Sequence, residues 1–190
     1  FIWFFAGHGV NVADLDGDED DGLDEAFVTP SKEGKLVEKA VLLDDDFAKA
    51  LNSLLPAETR ILCICDCCHS GTICDIDSFH WEHDVYQISA SQDSEEAEDT
   101  GKGGVLTRAL RQSIERSTLR YGTEPYSLQR IADGCIKRVH KQTKEQVCSF
   151  QYNGTPPDEV AWPMPLHRRD LLYKMKADLG EYEESDDDIA

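Results

Sequence analysis

The chain has 190 residues, 40% of them apolar, and carries 38 Asp and Glu against 19 Lys and Arg, a formal net charge of −19. This length supports one good hydrophobic core, so a single domain is expected. The acidic balance argues against nucleic acid or an anionic membrane surface as partner, because both are polyanions; it suits divalent cations and basic peptides. No apolar run approaches the ~20 residues of a membrane span.

Residues 1–5 (Phe-Ile-Trp-Phe-Phe) read as a buried strand. The strand starts inside an apolar run without cap or turn, which implies a segment upstream. It closes on Ala6-Gly7-His8-Gly9. Eight of the twelve residues 14–25 are acidic, and Gly17 and Gly22 make that stretch a loop. Residues 26–28 suit a short strand, and 29–39, with Pro30 and Gly34, a surface hairpin or flexible loop.

Residues 42–46 (Leu-Leu-Asp-Asp-Asp) open a helix. Phe47, Leu51, Leu54 and Leu55 then fall on one face, Asp44, Asp45 and Asp46 suit its N-terminus, and Pro56 ends it. Residues 61–65 (Ile-Leu-Cys-Ile-Cys) are an apolar run of strand length closing on a small-residue turn, the pattern of a buried parallel strand. Residues 84–89 are a further strand candidate, and 92–100 an acidic loop. Residues 105–117 read as a helix burying Leu106, Ala109, Leu110 and Ile114. A second helix over 127–141, capped by Ser127, buries Leu128, Ile131, Ala132, Cys135 and Val139. Residues 147–152 alternate as a last strand, 153–165 form an extended Gly- and Pro-rich loop, and 181–188 read as a disordered acidic tail. The order predicts an α/β fold with a mostly parallel central sheet and helices on both faces.

Seven cysteines are an odd number, and four of them (Cys63, Cys65, Cys67, Cys68) crowd into six residues. Such crowding cannot make a regular disulfide framework, and points to a reducing, cytoplasmic compartment with thiols buried or catalytic. The C-terminal end of a buried parallel strand is where open α/β sheets place their chemistry. There Cys68 stands in a turn with Ser70 and Gly71, exposed enough to be a nucleophile. His8, with glycine on both sides, is unobstructed and fits the acid–base partner. Taken alone, one Cys and one His also fit a buried thiol and an ordinary loop histidine.

Ala6-Gly7-His8-Gly9 followed by Asp66-Cys67-Cys68-His69-Ser70-Gly71 resembles the metacaspases, caspase-like cysteine peptidases. Three further pieces agree in order: the acidic loop 14–26, Leu43-Asp44-Asp45-Asp46, and Ser89-Ala90-Ser91-Gln92 with Ala97 and Glu98. The resemblance implies a caspase-like fold, with Cys68 as nucleophile, His8 as acid–base partner, and the N–H groups of Gly9 and Cys68 as oxyanion donors. It implies a primary substrate pocket around Asp66, with Ala6 and Ser89 nearby. A carboxylate there selects Arg or Lys before the scissile bond. No Lys or Arg occurs between Arg60 and Lys102, so nothing close in sequence to Cys68 could hold an acidic substrate residue as caspases do. Asp66 also suits the plainer part of a strand-end carboxylate bonded to backbone. The resemblance further implies activating calcium held by Asp24, Asp44 and Asp45, with Asp21 and Glu25 as further candidates. It divides residues 1–166 into a large-subunit-like part (1–83) and a small-subunit-like part (84–166), leaves 167–190 as the acidic tail, and implies a monomer acting on peptides or proteins.

Three other readings compete. From Asp14 the loop follows EF-hand spacing, with Glu25 at position twelve. However, Glu19 stands where glycine is needed and a strand precedes the loop. The Cys and His cluster of 63–83 lacks the ligand gaps of structural zinc sites, and Cys63, Cys65 and Cys67 share one strand face, which suits core packing. A catalytically silent calcium- or peptide-binding scaffold would be expected to have lost the Cys–His pair, which is present.

Overall fold

The computed structural model describes residues 1–13, 22–31, 36–90, 104–122, 124–143 and 146–172. Among them are β1 (Ile2–Ala6), β2 (Gly9–Ala13), β3 (Leu23–Pro30), β4 (Leu36–Leu43), α1 (Asp44–Leu54), β5 (Ile61–Asp66), β6 (Val85–Ser89), α2 (Val105–Tyr121), α3 (Leu128–Gln142) and β7 (Ser149–Asn153), and residues 168–172 are helical. The central sheet has the order β1-β5-β6-β7. β1, β5 and β6 run parallel and β7 antiparallel. β2, β3 and β4 form a separate antiparallel meander.

Strand alternation sends β5 side chains to two cores. Leu62 and Ile64, with Tyr86 and Ile88 of β6, pack under α2 and α3 against Leu106, Ala109, Ile131, Ala132, Cys135 and Val139. Ile61, Cys63, Cys65 and Cys67 enter the opposite core with Phe47 and Ala48 of α1 and Phe27 of β3. Helices therefore cover both faces, as the sequence predicts. The meander is fixed to the sheet by aromatic rings: Phe5 and Phe27 lie 4.7 Å apart edge-on, Phe27 and Phe47 5.2 Å, and Trp3 and Phe47 5.2 Å. Such pairs contribute about 0.5–1.5 kcal/mol beyond their area burial.

Both long helices match their predicted faces, and Ser127 caps α3 by accepting the Arg130 N–H at 3.3 Å. Cys63, Cys65 and Cys67 are all buried in one cluster, the core packing expected from their shared strand face. The structure corrects four details. Residues 10–13 are a strand, signalled by the alternating Val10 and Val12 and overlooked between glycine and acid. The stretch 29–39 belongs to a β hairpin whose second strand runs to Leu43, so Leu42 and Leu43 end β4 rather than open a helix. Leu54 is 80% exposed, off the buried face of α1. The edge strand β1 leaves Ile2 and Phe4 exposed, so it is not buried throughout as its apolar run predicts. The predicted acidic loops at 14–21 and 92–100 and the tail 181–188 lie outside the described residues. Among the described residues no helix is long and apolar enough to cross a membrane.

Candidate active site

β1 and β5 are parallel neighbours with Ala6 opposite Asp66, so both strands finish at the same edge of the sheet. The two loops that leave them touch. The Gly7 N–H donates to the Asp66 carbonyl at 3.3 Å. A Cβ built on Gly9 would overlap the Cys68 carbonyl oxygen and lie 3.5 Å from Cys67 Sγ. The His8 carbonyl accepts the Val28 N–H at 2.9 Å, which ties the histidine loop to β3. His8 is exposed and Cys68 half-buried, whereas Cys67 is buried. Burial, reinforced by the nearby Cys65 and Cys68, pushes the Cys67 thiol far above its ordinary pKa. Only Cys68 therefore combines access with a place beside the histidine loop.

The turn that carries Cys68 is held by its own hydroxyl and by a neighbouring strand. Ser70 Oγ donates to the Cys67 carbonyl at 2.9 Å, and His69 takes the left-handed conformation at φ 49°. Gln87 reaches across from β6, its Nε2 donating to the Ser70 carbonyl at 2.8 Å and the Gly71 carbonyl at 2.5 Å. It is 1% exposed. Sequence reasoning missed Gln87, although one amide inside the apolar strand Val-Tyr-Gln-Ile-Ser was a signal. We expect Gln87→Leu to leave two buried carbonyls unpaired, at about 1–3 kcal/mol each. Kinetically it should lower kcat about tenfold or more with KM little changed, since a misplaced nucleophile costs rate rather than binding. Denaturant melts and steady-state kinetics on the same variant check both effects.

Asp66 ends β5 and is 6% exposed. Its Oδ2 accepts the Thr107 N–H at 2.8 Å and the Thr107 hydroxyl as well. Gly104 lies so close that a Cβ there would overlap the carboxylate. Asp66 thus satisfies orphan donors in the first turn of α2, where a negative charge also meets the positive end of the helix dipole. Ala6 is exposed beside it. Ser89 is fully buried and shares a hydrogen bond with Ser149 Oγ at 2.5 Å, so it presents nothing to the surface.

Asp24, Glu25, Asp44 and Asp45 lie where β3 meets the start of α1. Glu25 N–H donates to Asp44 Oδ2 at 2.7 Å, and Asp45 N–H to Asp44 Oδ1 at 2.9 Å. Asp24, Glu25 and Asp44 are buried, and burial raises the Asp44 pKa above its ordinary 3.8. Glu25 Oε2 accepts from the Thr72 hydroxyl, linking this acidic corner to the turn after Cys68. Asp45 is partly exposed and pairs with Lys49 at 2.7 Å. Asp21 lies outside the described residues, among which no three His, Cys, Asp or Glu side chains are gathered closely enough to hold a metal. Adjacent positions on a strand alternate in direction, which turns Asp24 and Glu25 apart.

Residues 1–77 match the family model for the metacaspase peptidase C14 domain. Metacaspase-1 of Pyricularia oryzae is 31% identical over 163 residues, covering 85% of this chain and 36% of that protein. Metacaspase-1 of Coccidioides immitis is 28% identical over 165 residues, covering 85% of this chain and 31% of that protein. Metacaspase III c of Phaeodactylum tricornutum is 40% identical over 73 residues, covering 38% and 20%. The chain therefore spans about a third or less of the length of these curated relatives. A crystal structure of a Geobacter sulfurreducens protein superposes with a TM-score of 0.58 at 20% identity, covering 82% of this chain and 66% of that one, which is a likeness of fold. With the Gly-His-Gly and Asp-Cys-Cys-His-Ser-Gly loops in contact at one edge of a caspase-like sheet, residues 1–77 match a metacaspase peptidase C14 domain in sequence and in the placing of these loops.

Proposed function

We propose that this site is that of a cysteine endopeptidase that cuts after Arg or Lys and is activated by calcium. The observation that carries the reading is the contact of the His8–Gly9 loop with Cys68. The Cys68 thiolate attacks the substrate carbonyl carbon, forming the C–S bond while the carbonyl oxygen takes up negative charge. The N–H groups of Gly9 and Cys68 are the donors for that oxygen. Protonated His8 gives its proton to the departing amine as the C–N bond breaks, which leaves a thioester. Neutral His8 then takes a proton from water, whose oxygen attacks the thioester, and the acid product leaves with Cys68 free again.

Asp66 supports the basic preference. Thr107 takes both of its bonds on Oδ2, and no hydrogen bond from the described residues occupies Oδ1. A guanidinium or ammonium before the scissile bond would meet that oxygen.

For calcium, the donor set is right in chemistry: hard carboxylate oxygens from two segments, three of the carboxylates buried. Asp24, Asp44 and Asp45 would hold the ion, with Asp21 and Glu25 as further ligands, once drawn closer together than the structure holds the described ones. When bound, calcium supplies the positive charge that these desolvated carboxylates lack. Glu25, through Thr72, steadies the turn after Cys68, so ordering that corner bears on the nucleophile. Seven free thiols suit a reducing, cytoplasmic setting, and a monomer acting on peptide or protein substrates is the simplest form.

A fluorogenic peptide ending in Arg or Lys should be cleaved in calcium and lose most of its turnover in chelator, while the same peptide ending in Asp is spared. Cleavage after Asp, or equal rates with calcium and chelator, would contradict the specificity or the activation respectively. Binding of peptide without any turnover would favour the silent scaffold.

A further inference from the structure

A strongly acidic chain concentrates six of its 19 Lys and Arg around one cavity of about 390 Å³ on the outer side of α2 and α3. They are Arg116 and Arg120 on α2 and Arg130, Lys137, Arg138 and Lys141 on α3. The single carboxylate in the lining, Asp133, accepts a hydrogen bond from Gln129 at 2.8 Å. None of the six cations is ion-paired among the described residues. Neutral partners hold several of them instead. Arg138 Nη1 donates to the Gly134 carbonyl at 2.7 Å and to Ser113 Oγ at 3.1 Å. Arg130 donates to the Tyr121 hydroxyl and lies 4.6 Å over its ring, with Arg120 5.6 Å from the same ring. A positioned, uncompensated positive patch on a polyanionic chain repels itself unless an anion covers it.

We propose that this patch is the docking site for the chain's own acidic C-terminal segment, residues 181–188. That segment, Glu-Tyr-Glu-Glu-Ser-Asp-Asp-Asp, carries six carboxylates in eight residues, which matches the six cations. The chain returns to the right place. Arg168 Nη1 lies 3.7 Å from a Cβ built on Gly122, the residue that follows the last turn of α2. The nine steps from Leu172 to Glu181 can reach roughly 30 Å, and the α2 stretch lining the cavity spans only about 14 Å. Tethering raises the effective concentration of the segment to the millimolar range, enough for surface pairs that are individually weak and screened by salt. The inference does not depend on the peptidase reading.

Carbodiimide coupling of the intact 190-residue chain tests it, because this reagent joins a carboxylate to a lysine amine, with loss of water, only where the two already meet. Peptide mass spectrometry should find amide links from residues 181–188 to Lys137 or Lys141 within one chain. Arg116→Gln with Arg120→Gln, both at exposed positions, should cut the yield of those links at least about fivefold. The Lys49–Asp45 link should stay unchanged. The inference is overturned if no tail link forms to either lysine, if tail links are spread evenly over the exposed lysines, or if the links join isotope-labelled to unlabelled chains.

Discussion

Cys68→Ala is expected to lower kcat/KM on an Arg peptide by at least about 10⁴-fold, the scale on which removal of a covalent nucleophile acts. His8→Ala should cost about 10²–10⁴-fold, the usual worth of a positioned acid–base group. Cys67→Ala should stay within a few-fold of the parent. The contrast between adjacent thiols comes from their surroundings. Cys67 is 1% exposed and sits among Cys63, Cys65 and Phe27, where burial keeps its proton on sulfur. Cys68 is half-buried, one residue further on, where the chain turns out of the sheet. Its neighbour His69 adopts a left-handed conformation, which asparagine, aspartate and histidine tolerate better than most residues. Steady-state kinetics on the three variants check this order.

Gly9→Ala is expected to reduce kcat/KM about 100-fold while leaving all titrating groups in place. The added methyl would overlap the Cys68 carbonyl oxygen. Backbone, unlike the end of a flexible side chain, cannot swing aside. The two loops must separate, and a displacement of about 1 Å at a reacting centre is worth about 10²-fold. Overpacking of this kind also costs about 1–3 kcal/mol of stability. A smaller thermal shift with full activity would mean that the loops do not need this close approach.

The parallel strands and both long helices were legible because their signals are local. An unbroken apolar run marks β5, and a 3.6-residue period with a serine cap marks α3. The nucleophile turn was legible for the same reason, since Asp66 to Gly71 is one contiguous motif. The meander was harder. β4 carries Glu38 and Lys39 in its sequence, which left 29–39 open between a surface hairpin and a flexible loop, and its pairing with β3 is a property of the assembled sheet. Leu54 fits the helix period but stands at the margin of the face that Ala48, Leu51 and Leu55 turn to the core, so periodicity overstated the width of the buried face. Among the site residues, Gln87 and Thr107 escaped notice because each acts across 16 to 41 residues of chain. No spacing in the sequence encodes those separations. Thr107 also changes how Asp66 is understood: the carboxylate closes the first turn of α2 with one oxygen, whatever the other does for substrate.

A cavity of about 900 Å³ lies at the opposite end of the sheet, lined by Phe1, Ile2, Arg60, Leu62, Tyr86 and neighbouring residues. It is remote from Cys68, since Arg60 precedes β5 while Cys68 follows it. Chemistry in this fold belongs to the carboxyl ends of the parallel strands, and there the His8 and Cys68 loops meet.

The most direct test of that claim is reaction of the intact chain, in calcium, with a peptidyl-arginine chloromethyl ketone, followed by mass spectrometry of all seven cysteine peptides. The alkylating group is delivered only to a thiol beside a site that binds arginine. The account predicts one adduct, on Cys68, lost in Cys68→Ala and slowed in His8→Ala. An adduct on Cys67, or labelling that is the same for an aspartyl reagent, would contradict it.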